Sequence, residues 1–217
     1  LGVAAAMVSH VFNRGLLELR LFFRRWKSLP GWAQPAVGAF ATGVVACIAF
    51  GAMHVEGVTG GGYAALDAAL NGKIAAHVMI ALCVAKLVAT LSSYSSGGAG
   101  GIFAPALFIG GMLGGAFAFF DQFALGHTDT EIGAFALVGM GAVFAGVVRA
   151  PITSFLIIFE MTNGYGLILP LMIANTTSYV LAKKWYRKPI YEALIEQDGI
   201  QLPHRSGAAA ALGALRV

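Results

Sequence analysis

Long apolar segments separated by short polar breaks run through the whole chain of 217 residues. Four windows contain no Asp, Glu, Lys or Arg, namely residues 28–55, 87–120, 132–148 and 161–182. A helix that crosses the hydrocarbon core of a bilayer needs about 20 mostly apolar residues. The windows at 28–55, 87–120 and 161–182 exceed that length, and the window at 132–148 comes close to it. The pattern therefore predicts a series of membrane helices.

These windows, divided at Gly, Pro and polar residues, also predict an order of elements. The first element is a helix at 1–26 with a basic amphipathic end, and an apolar helix at 36–53 follows. A Gly-rich loop with a short helix at 56–72 comes next. After it lie an apolar segment at 77–91, a small-residue run at 92–101 and a further apolar helix at 102–120.

The apolar stretch 132–182 is broken at VRAP, at TNGYG and at Pro170. The pieces between these breaks are short for a perpendicular crossing of the bilayer. Short hydrophobic segments interrupted by Gly and Pro are typical of broken helices whose ends meet inside a membrane. The predicted fold class is therefore all-α, a multi-pass membrane protein with tilted and broken helices, located in the cell membrane.

Composition supports the membrane assignment. The chain is 58% hydrophobic and 11% charged, with a mean hydropathy of +0.78, whereas an average soluble domain is about a quarter charged. A water-soluble globule and a disordered chain are both excluded. The net charge is +4, and basic residues beside membrane segments favour the cytoplasmic side. Two clusters are placed there: Arg20, Arg24, Arg25 and Lys27, and Lys183, Lys184, Arg187 and Lys188.

The run SSYSSGGAGG followed by IFAP is the strongest candidate for a binding site. Pro105 fits the first turn of a new helix, and a helix N-terminus carries unpaired N–H groups and a partial positive charge. Such an end forms an anion site without Lys or Arg. The alternative is that the glycines only allow close helix packing, which Gly110, Gly111, Gly114 and Gly115 also fit.

Other ionisable residues keep two interpretations each. Glu160, deep in apolar sequence, is a proton carrier or ion ligand, or a structural residue that caps the next segment or pairs with Arg149, and the structural role is favoured. Lys86 either attracts anions to an entrance or extends to the membrane interface. Tyr191 is an interfacial anchor or a hydroxyl donor to an anion. Cys47 and Cys83 offer no disulfide or metal spacing.

GGIFAPALFIGGMLGGAFA resembles the signature of the CLC chloride channels and chloride/proton antiporters, in which GGIFAP opens a filter helix. VRAPITSFLIIFEMTNGYGLILPLMIAN is similar to the helices that follow in that family, and KPIYEAL to its final helix with the filter tyrosine. The resemblance implies that chloride, as substrate, is bound by the backbone N–H groups of Ile102 and Phe103 and by the Tyr191 hydroxyl. Gly100, Gly101, Ala104 and Pro105 would support the filter loop.

Two family motifs of the first half, a GSGIP-type loop and a G-x-E-G-P loop, do not occur in these residues. The chain is thus expected to be the second half of a CLC-type inverted repeat and a piece of a longer polypeptide. Residues 1–190 would be its membrane helices, and 191–217 the final helix with a connector that precedes a CBS region.

The resemblance implies chloride transport, voltage-gated or coupled to protons, by a homodimer in the lipid bilayer. Each subunit would need the N-terminal half of the same subunit. The alternative is another inverted-repeat transporter for a different anion. No enzyme activity, cofactor or metal is expected, because the scattered histidines form no catalytic or metal-binding pattern. No nucleic-acid partner is expected either.

Overall fold

The computed structural model describes residues 1–26, 30–126, 131–186 and 188–200, and the regular structure within these residues is entirely helical. The all-α prediction is confirmed. In chain order the helices are α1 (Gly2–Arg25), α2 (Gln34–Met53), α3 (Tyr63–Leu70), α4 (Ala76–Ser95), α5 (Phe103–Leu125), α6 (Ile132–Val148), α7 (Pro151–Thr162), α8 (Ile168–Trp185) and α9 (Ile190–Gln197), with a 3-10 turn at Tyr165–Leu167 before α8.

Helix α6 lies at the centre of the fold. Its residues from Val138 to Val147 are all buried, and it packs against α1, α5, α7 and α8. Helix α2 is peripheral and exposes large apolar side chains such as Phe40 and Ile48. An apolar helix with its outer face uncovered is suited to a bilayer rather than to water. The hydrophobic core of the described chain is therefore built around one helix that touches little solvent.

Glycines bring α5 and α6 into backbone contact. A Cβ atom added at Gly110 would lie 2.4 Å from the carbonyl oxygen of Gly139, and one at Gly114 would lie 2.1 Å from that of Phe135. Small residues four apart are the usual means of close helix packing in membranes. A Cβ at Gly111 or Gly115 would instead strike the side chain of Leu66 or Met79. The packing interpretation of this glycine set is confirmed. These four glycines lie beyond the first turn of α5, so this packing does not involve the start of the helix.

Polar side chains join the helices where lipid-like surroundings make unpaired groups costly. The Ser9 hydroxyl of α1 donates to the carbonyl of Val143 at 3.1 Å, and the Asn13 amide donates to that of Val147 at 3.2 Å. On the other side of α6, the Ser154 hydroxyl donates to the Gly141 carbonyl at 2.6 Å and accepts from Asn175 at 3.2 Å. These bonds fix α1, α7 and α8 against α6.

Within the described residues, four stretches are long and apolar enough to cross a membrane: Gln34–Met53, Ala76–Ser95, Phe103–Ala124 and a fourth that contains α8. Helices α6 and α7 are shorter apolar helices of 17 and 12 residues. The predicted segments agree with the observed ones except at two places. Residues 92–95 continue α4 instead of unwinding, and Pro170 lies in the first turn of α8, so that the break falls before this proline and not at it.

Candidate anion-binding site

The chain leaves α4 through a tight turn that two glycines make possible. The N–H of Gly97 donates to the carbonyl of Tyr94 at 3.2 Å, and that of Gly98 to the carbonyl of Ser93 at 3.1 Å. Gly97 has a φ of +90°, which favours glycine. A Cβ on Gly98 would lie 2.7 Å from the Ser93 carbonyl oxygen. Gly97 and Gly98 are therefore needed by the turn itself.

Gly100 and Gly101 have a different environment. A Cβ atom at either position would meet nothing within 4 Å, and neither residue has a left-handed φ. Within the described residues, neither packing nor backbone conformation requires glycine at these two positions. Both residues are exposed, and Ile102 alone separates Gly101 from α5. The backbone is thus left bare where it enters the helix.

Helix α5 begins at Phe103 without a side-chain cap and without an acidic residue in its first turn. Pro105 is the third helical residue, as expected, and contributes no N–H. The N–H of Ala106 donates to the Ile102 carbonyl at 3.1 Å, which starts the helical ladder. The N–H groups of Ile102, Phe103 and Ala104 precede that ladder and, with the helix dipole, make this end electropositive.

The two side chains at this helix start contact the protein core, although Phe103 is 43% exposed. Ile102 is 2% exposed and belongs to the main core. The Phe103 ring meets the buried Phe144 of α6 edge-on, with 4.7 Å between ring centroids. The backbone at the start of α5 is thus anchored by its side chains to the central helix. An anion at this end would meet peptide N–H groups held by a rigid support.

Tyr191 lies in the first turn of α9, next to the fully buried Ile190, and is 44% exposed. Its phenol is close enough to Tyr94, in the last turn of α4, for the two groups to interact electrostatically. The structure thus places the Tyr191 phenol near the end of α4. It shows no hydrogen bond, within the described residues, between the Tyr191 hydroxyl and the start of α5.

The far end of α9 is fastened to the basic end of α1. The Arg20 guanidinium donates to the Leu194 carbonyl at 3.1 Å and to both carboxylate oxygens of Asp198, at 3.0 and 3.2 Å. Arg24 donates to the Gln197 carbonyl and to Asp198. Cations suit the C-terminal carbonyls of a helix. Two arginines assigned to a cytoplasmic cluster therefore also position the helix that carries Tyr191.

The carboxyl group of Asp198 feels both arginines. Slight desolvation works in the opposite direction, but the hydrogen bonds and charges of Arg20 and Arg24 hold the pKa of Asp198 below its usual value. Lys27 and Arg187, assigned to the same two basic clusters, lie outside the described residues. So do residues 201–217, which hold most of the expected connector.

Lys86 does not extend to the membrane interface. Its side chain is buried, with 2% exposure, and the ammonium group donates to the carbonyls of Gly57, Val58 and Gly60. All three ammonium hydrogens therefore have acceptors. Of the two interpretations left open for Lys86, extension to the membrane interface is wrong, because the loop between α2 and α3 supplies carbonyl acceptors inside the protein. Direct capture of an anion by this group is not supported either.

Glu160 lies on the exposed side of α7. Arg149, which has a left-handed φ of +63° just before this helix, donates to the carbonyls of Ala182 and Tyr186 at the end of α8. Because Glu160 lies nine positions after Pro151 in the helix, the Glu160 carboxylate lies about 14 Å farther along the α7 axis. The pairing of Glu160 with Arg149 is thus not supported, and Arg149 instead fastens the turn between α6 and α7 to α8.

Sequence reasoning missed Tyr94 and the positioning role of Arg20. Tyr94 is part of the SSYSSGG run, but no pattern shows that its phenol lies near enough to interact electrostatically with a residue 97 positions later. The basic cluster was visible, yet its partners are backbone carbonyls, which leave no trace in the sequence. The described residues contain no cluster of three or more His, Cys, Asp or Glu side chains that could hold a metal ion.

Comparison with known proteins decides the family. The family model described as voltage gated chloride channel matches residues 1–183. The chain belongs to the voltage-gated chloride channel family. It is thus a multi-pass protein of the cell membrane, and the resemblance noted in the GGIFAP segment is confirmed.

Two curated relatives named H(+)/Cl(-) exchange transporter ClcA are similar. The one from Vibrio cholerae is 39% identical over 151 residues, which cover 70% of this chain and 32% of that protein. The one from Yersinia pestis is 33% identical over 200 residues, which cover 90% and 40%. The chain thus spans well under half the length of these relatives, and their names are those of transporters.

Two solved structures share the fold. A slow cyanobacterial Cl⁻/H⁺ antiporter superposes with a TM-score of 0.71 at 30% identity, over 91% of this chain and 45% of that one. A eukaryotic CLC transporter gives the same TM-score at 21% identity, over 91% and 34%. The second likeness supports the fold alone.

Proposed function

We propose that the full-length protein containing this chain exchanges chloride for protons across the cell membrane. The observation that carries the proposal is the start of α5, an uncapped helix end that follows two bare glycines and has no acidic residue in its first turn. Family membership and the names of the ClcA relatives support chloride and proton coupling. No observation favours a transporter for a different anion.

In this proposal the N–H groups of Ile102 and Phe103 donate to the chloride ion, and the Tyr191 hydroxyl donates from α9. These are partial charges, which bind an anion weakly enough for it to leave again. Gly100 and Gly101 keep the approach to the amides open, while Ala104 and Pro105 complete the first turn. Tyr191 lies on α9, whose far end Arg20 fastens to α1.

The subunits are proposed to pair through α7 and α8. These helices expose large apolar side chains, for example Ile152, Leu169 and Ile173, which are 60–75% exposed. Exposed apolar side chains fit either lipid or a second copy of the chain. The family resemblance favours a homodimer in which each subunit keeps its own anion path.

Proteoliposomes that contain the purified full-length protein test the function. Isotopic chloride uptake is measured with and without an opposing proton gradient, and internal pH is followed at the same time. Exchange predicts that a proton gradient drives chloride uphill with a fixed ratio of the two ions. Chloride uptake that ignores the proton gradient would indicate a passive channel. Uptake of another anion in preference to chloride would support the alternative transporter.

A further inference from the structure

Lys86 is the charged residue that the described structure buries most completely. It lies near the middle of α4 and its side chain is 2% exposed. Isolated charges are costly in a membrane interior, and those that occur there usually serve ion pathways. The anion site described above does not use Lys86, so its charge calls for a separate explanation.

The ammonium group is solvated by a loop and an aromatic ring. Its nitrogen lies 3.1, 2.9 and 2.6 Å from the carbonyl oxygens of Gly57, Val58 and Gly60, in the connection between α2 and α3. It also lies 5.0 Å from the centre of the Phe108 ring, a favourable cation–π distance.

These partners stabilise the cation but do not neutralise it. Carbonyl groups and an aromatic ring contribute dipoles and a quadrupole but no net negative charge. Among the described residues, no carboxylate forms an ion pair with Lys86. Glu56, next to Gly57, is exposed. Solvent therefore screens its charge far more than that of Lys86.

The charge lies close to the start of α5. Phe108 is five residues after Phe103 on the same helix, which corresponds to a rise of about 7.5 Å. With the ammonium group beside the Phe108 ring, the distance from the charge to the first amides of α5 is about 10–15 Å. At an effective dielectric constant of about 20, a unit charge at this distance changes anion affinity roughly tenfold.

We propose that Lys86 is a fixed positive charge that raises the affinity of the α5 site for anions without touching them. This inference rests on the proposed function, since it needs an anion at the start of α5. Lys86 thus acts on the anion through its charge and is not a ligand. A charge acting at this distance strengthens the binding of every monovalent anion by the same factor, whereas selectivity stays with the amides.

A purely structural role makes a different prediction. If Lys86 only clamps the loop at residues 57–60 onto α5 through Phe108, its removal distorts the filter helix and changes the preference among anions. It also lowers the stability of the protein. The ratio of chloride to bromide affinity therefore separates the two roles, and a charge-keeping variant provides a second criterion.

The test is calorimetric titration of chloride and of bromide into the purified full-length protein and its variants. Lys86→Met removes the charge at similar side-chain length, and Lys86→Gln keeps an amide that can donate to the loop. Both are expected to bind chloride and bromide roughly tenfold more weakly, with an unchanged ratio. Lys86→Arg is expected to stay within about twofold of the wild type. Glu56→Gln, on the exposed loop, is the control and should change affinity little.

Several outcomes overturn the inference. One is a neutral variant that folds and binds chloride as well as the wild type does, and another is a changed ratio of the two anions. Lys86→Arg as weak as Lys86→Met would also refute a role for charge. If neither neutral variant folds while Lys86→Arg does, the residue acts through stability and the inference fails. A wild-type protein that binds no chloride would contradict the proposed function instead.

Discussion

The ring of Phe103 packs edge-on against Phe144, with 4.7 Å between ring centroids, so that the first residue of α5 is fixed to the central helix by its side chain. Its N–H remains at the uncapped helix end. In this arrangement the side chain of Phe103 holds the start of α5 in place, and its backbone N–H is the group proposed to bind the anion. The two roles can be separated by substitution at this single position.

Phe103→Leu should therefore keep most of the chloride affinity. It loses the aromatic pair, worth about 0.5–1.5 kcal/mol of stability, but it keeps the amide. Phe103→Pro removes the N–H, and it also biases Ile102 away from its helical φ of −96° and ψ of −10°. Since proline is accepted at the first position of a helix, the fold should survive. Calorimetry that ranks the leucine variant below the proline variant would contradict binding by the helix end.

The Tyr191 hydroxyl is predicted to donate one hydrogen bond to the anion. Tyr191→Phe should weaken chloride binding by about 1.5–3 kcal/mol, the range for a hydrogen bond to a charged group, and leave the unfolding temperature nearly unchanged. Tyr165→Phe is a matched control, because Tyr165 is 77% exposed and lies before α8. If both variants bind chloride as the wild type does, Tyr191 is an interfacial anchor only.

The four glycines before α5 are predicted to fall into two classes. Gly98→Ala should destabilise the fold by about 1–3 kcal/mol, because its Cβ would lie 2.7 Å from a backbone oxygen. Gly101→Ala meets nothing within 4 Å and should fold normally. Its methyl group would nevertheless crowd an anion at the amides and lower the affinity. Thermal unfolding and chloride titration of both variants provide the check, and normal affinity in Gly101→Ala would remove this glycine from the site.

The positions of the long helices could be predicted from the sequence, because the thickness of a bilayer sets the length of an apolar segment that crosses it. The start of α5 was predictable for a similar reason, since glycines followed by Pro105 are a local signal. Where a tertiary contact competes with a local tendency, prediction failed. Ser95, expected in an unwound run, stays helical and donates to the Leu16 carbonyl of α1 at 3.1 Å.

Lys86 shows the same limit more strongly. Its acceptors are carbonyl oxygens 26–29 residues earlier in the chain, and every residue type has such a carbonyl. No pattern of side chains could therefore indicate where the ammonium group goes. The anchoring of α9 by Arg20 through the Leu194 carbonyl was unpredictable for that reason as well.

Thr176 is an exposed residue of α8 on the surface proposed to pair with a second subunit. Thr176→Trp should favour monomers, because a bulky ring prevents close approach of two such surfaces, while each subunit still transports chloride. Light scattering of the detergent-solubilised protein and chloride uptake into proteoliposomes measure the two properties. Phe40→Trp, on the uncovered face of α2, is the control and should leave the oligomeric state unchanged. A wild-type protein that cross-links only as a monomer in membranes would refute the homodimer.

Asp198 is predicted to make the attachment of α9 dependent on pH. Its pKa in the folded protein is lowered by Arg20 and Arg24, whereas an unfolded aspartate titrates near pH 3.9. A group with a lowered folded pKa stabilises the protein above its unfolded pKa and loses that contribution as pH falls through the folded value. Asp198→Asn should therefore unfold at a lower temperature than the wild type at pH 7, and the difference should shrink as the pH falls below about 4 and vanish only below the folded pKa of Asp198.

The same substitution should reach the anion site, because the attachment that it weakens holds the helix of Tyr191. At pH 7, Asp198→Asn is expected to bind chloride more weakly than the wild type does, and the loss should be smaller than in Tyr191→Phe, since the hydroxyl is still present. Glu18→Gln is the matched control. It removes a carboxylate that pairs with Arg14 on the exposed side of α1 at 2.7 Å. If Asp198→Asn and Glu18→Gln change stability and chloride affinity equally, the arginine–aspartate contact has no special role in placing Tyr191.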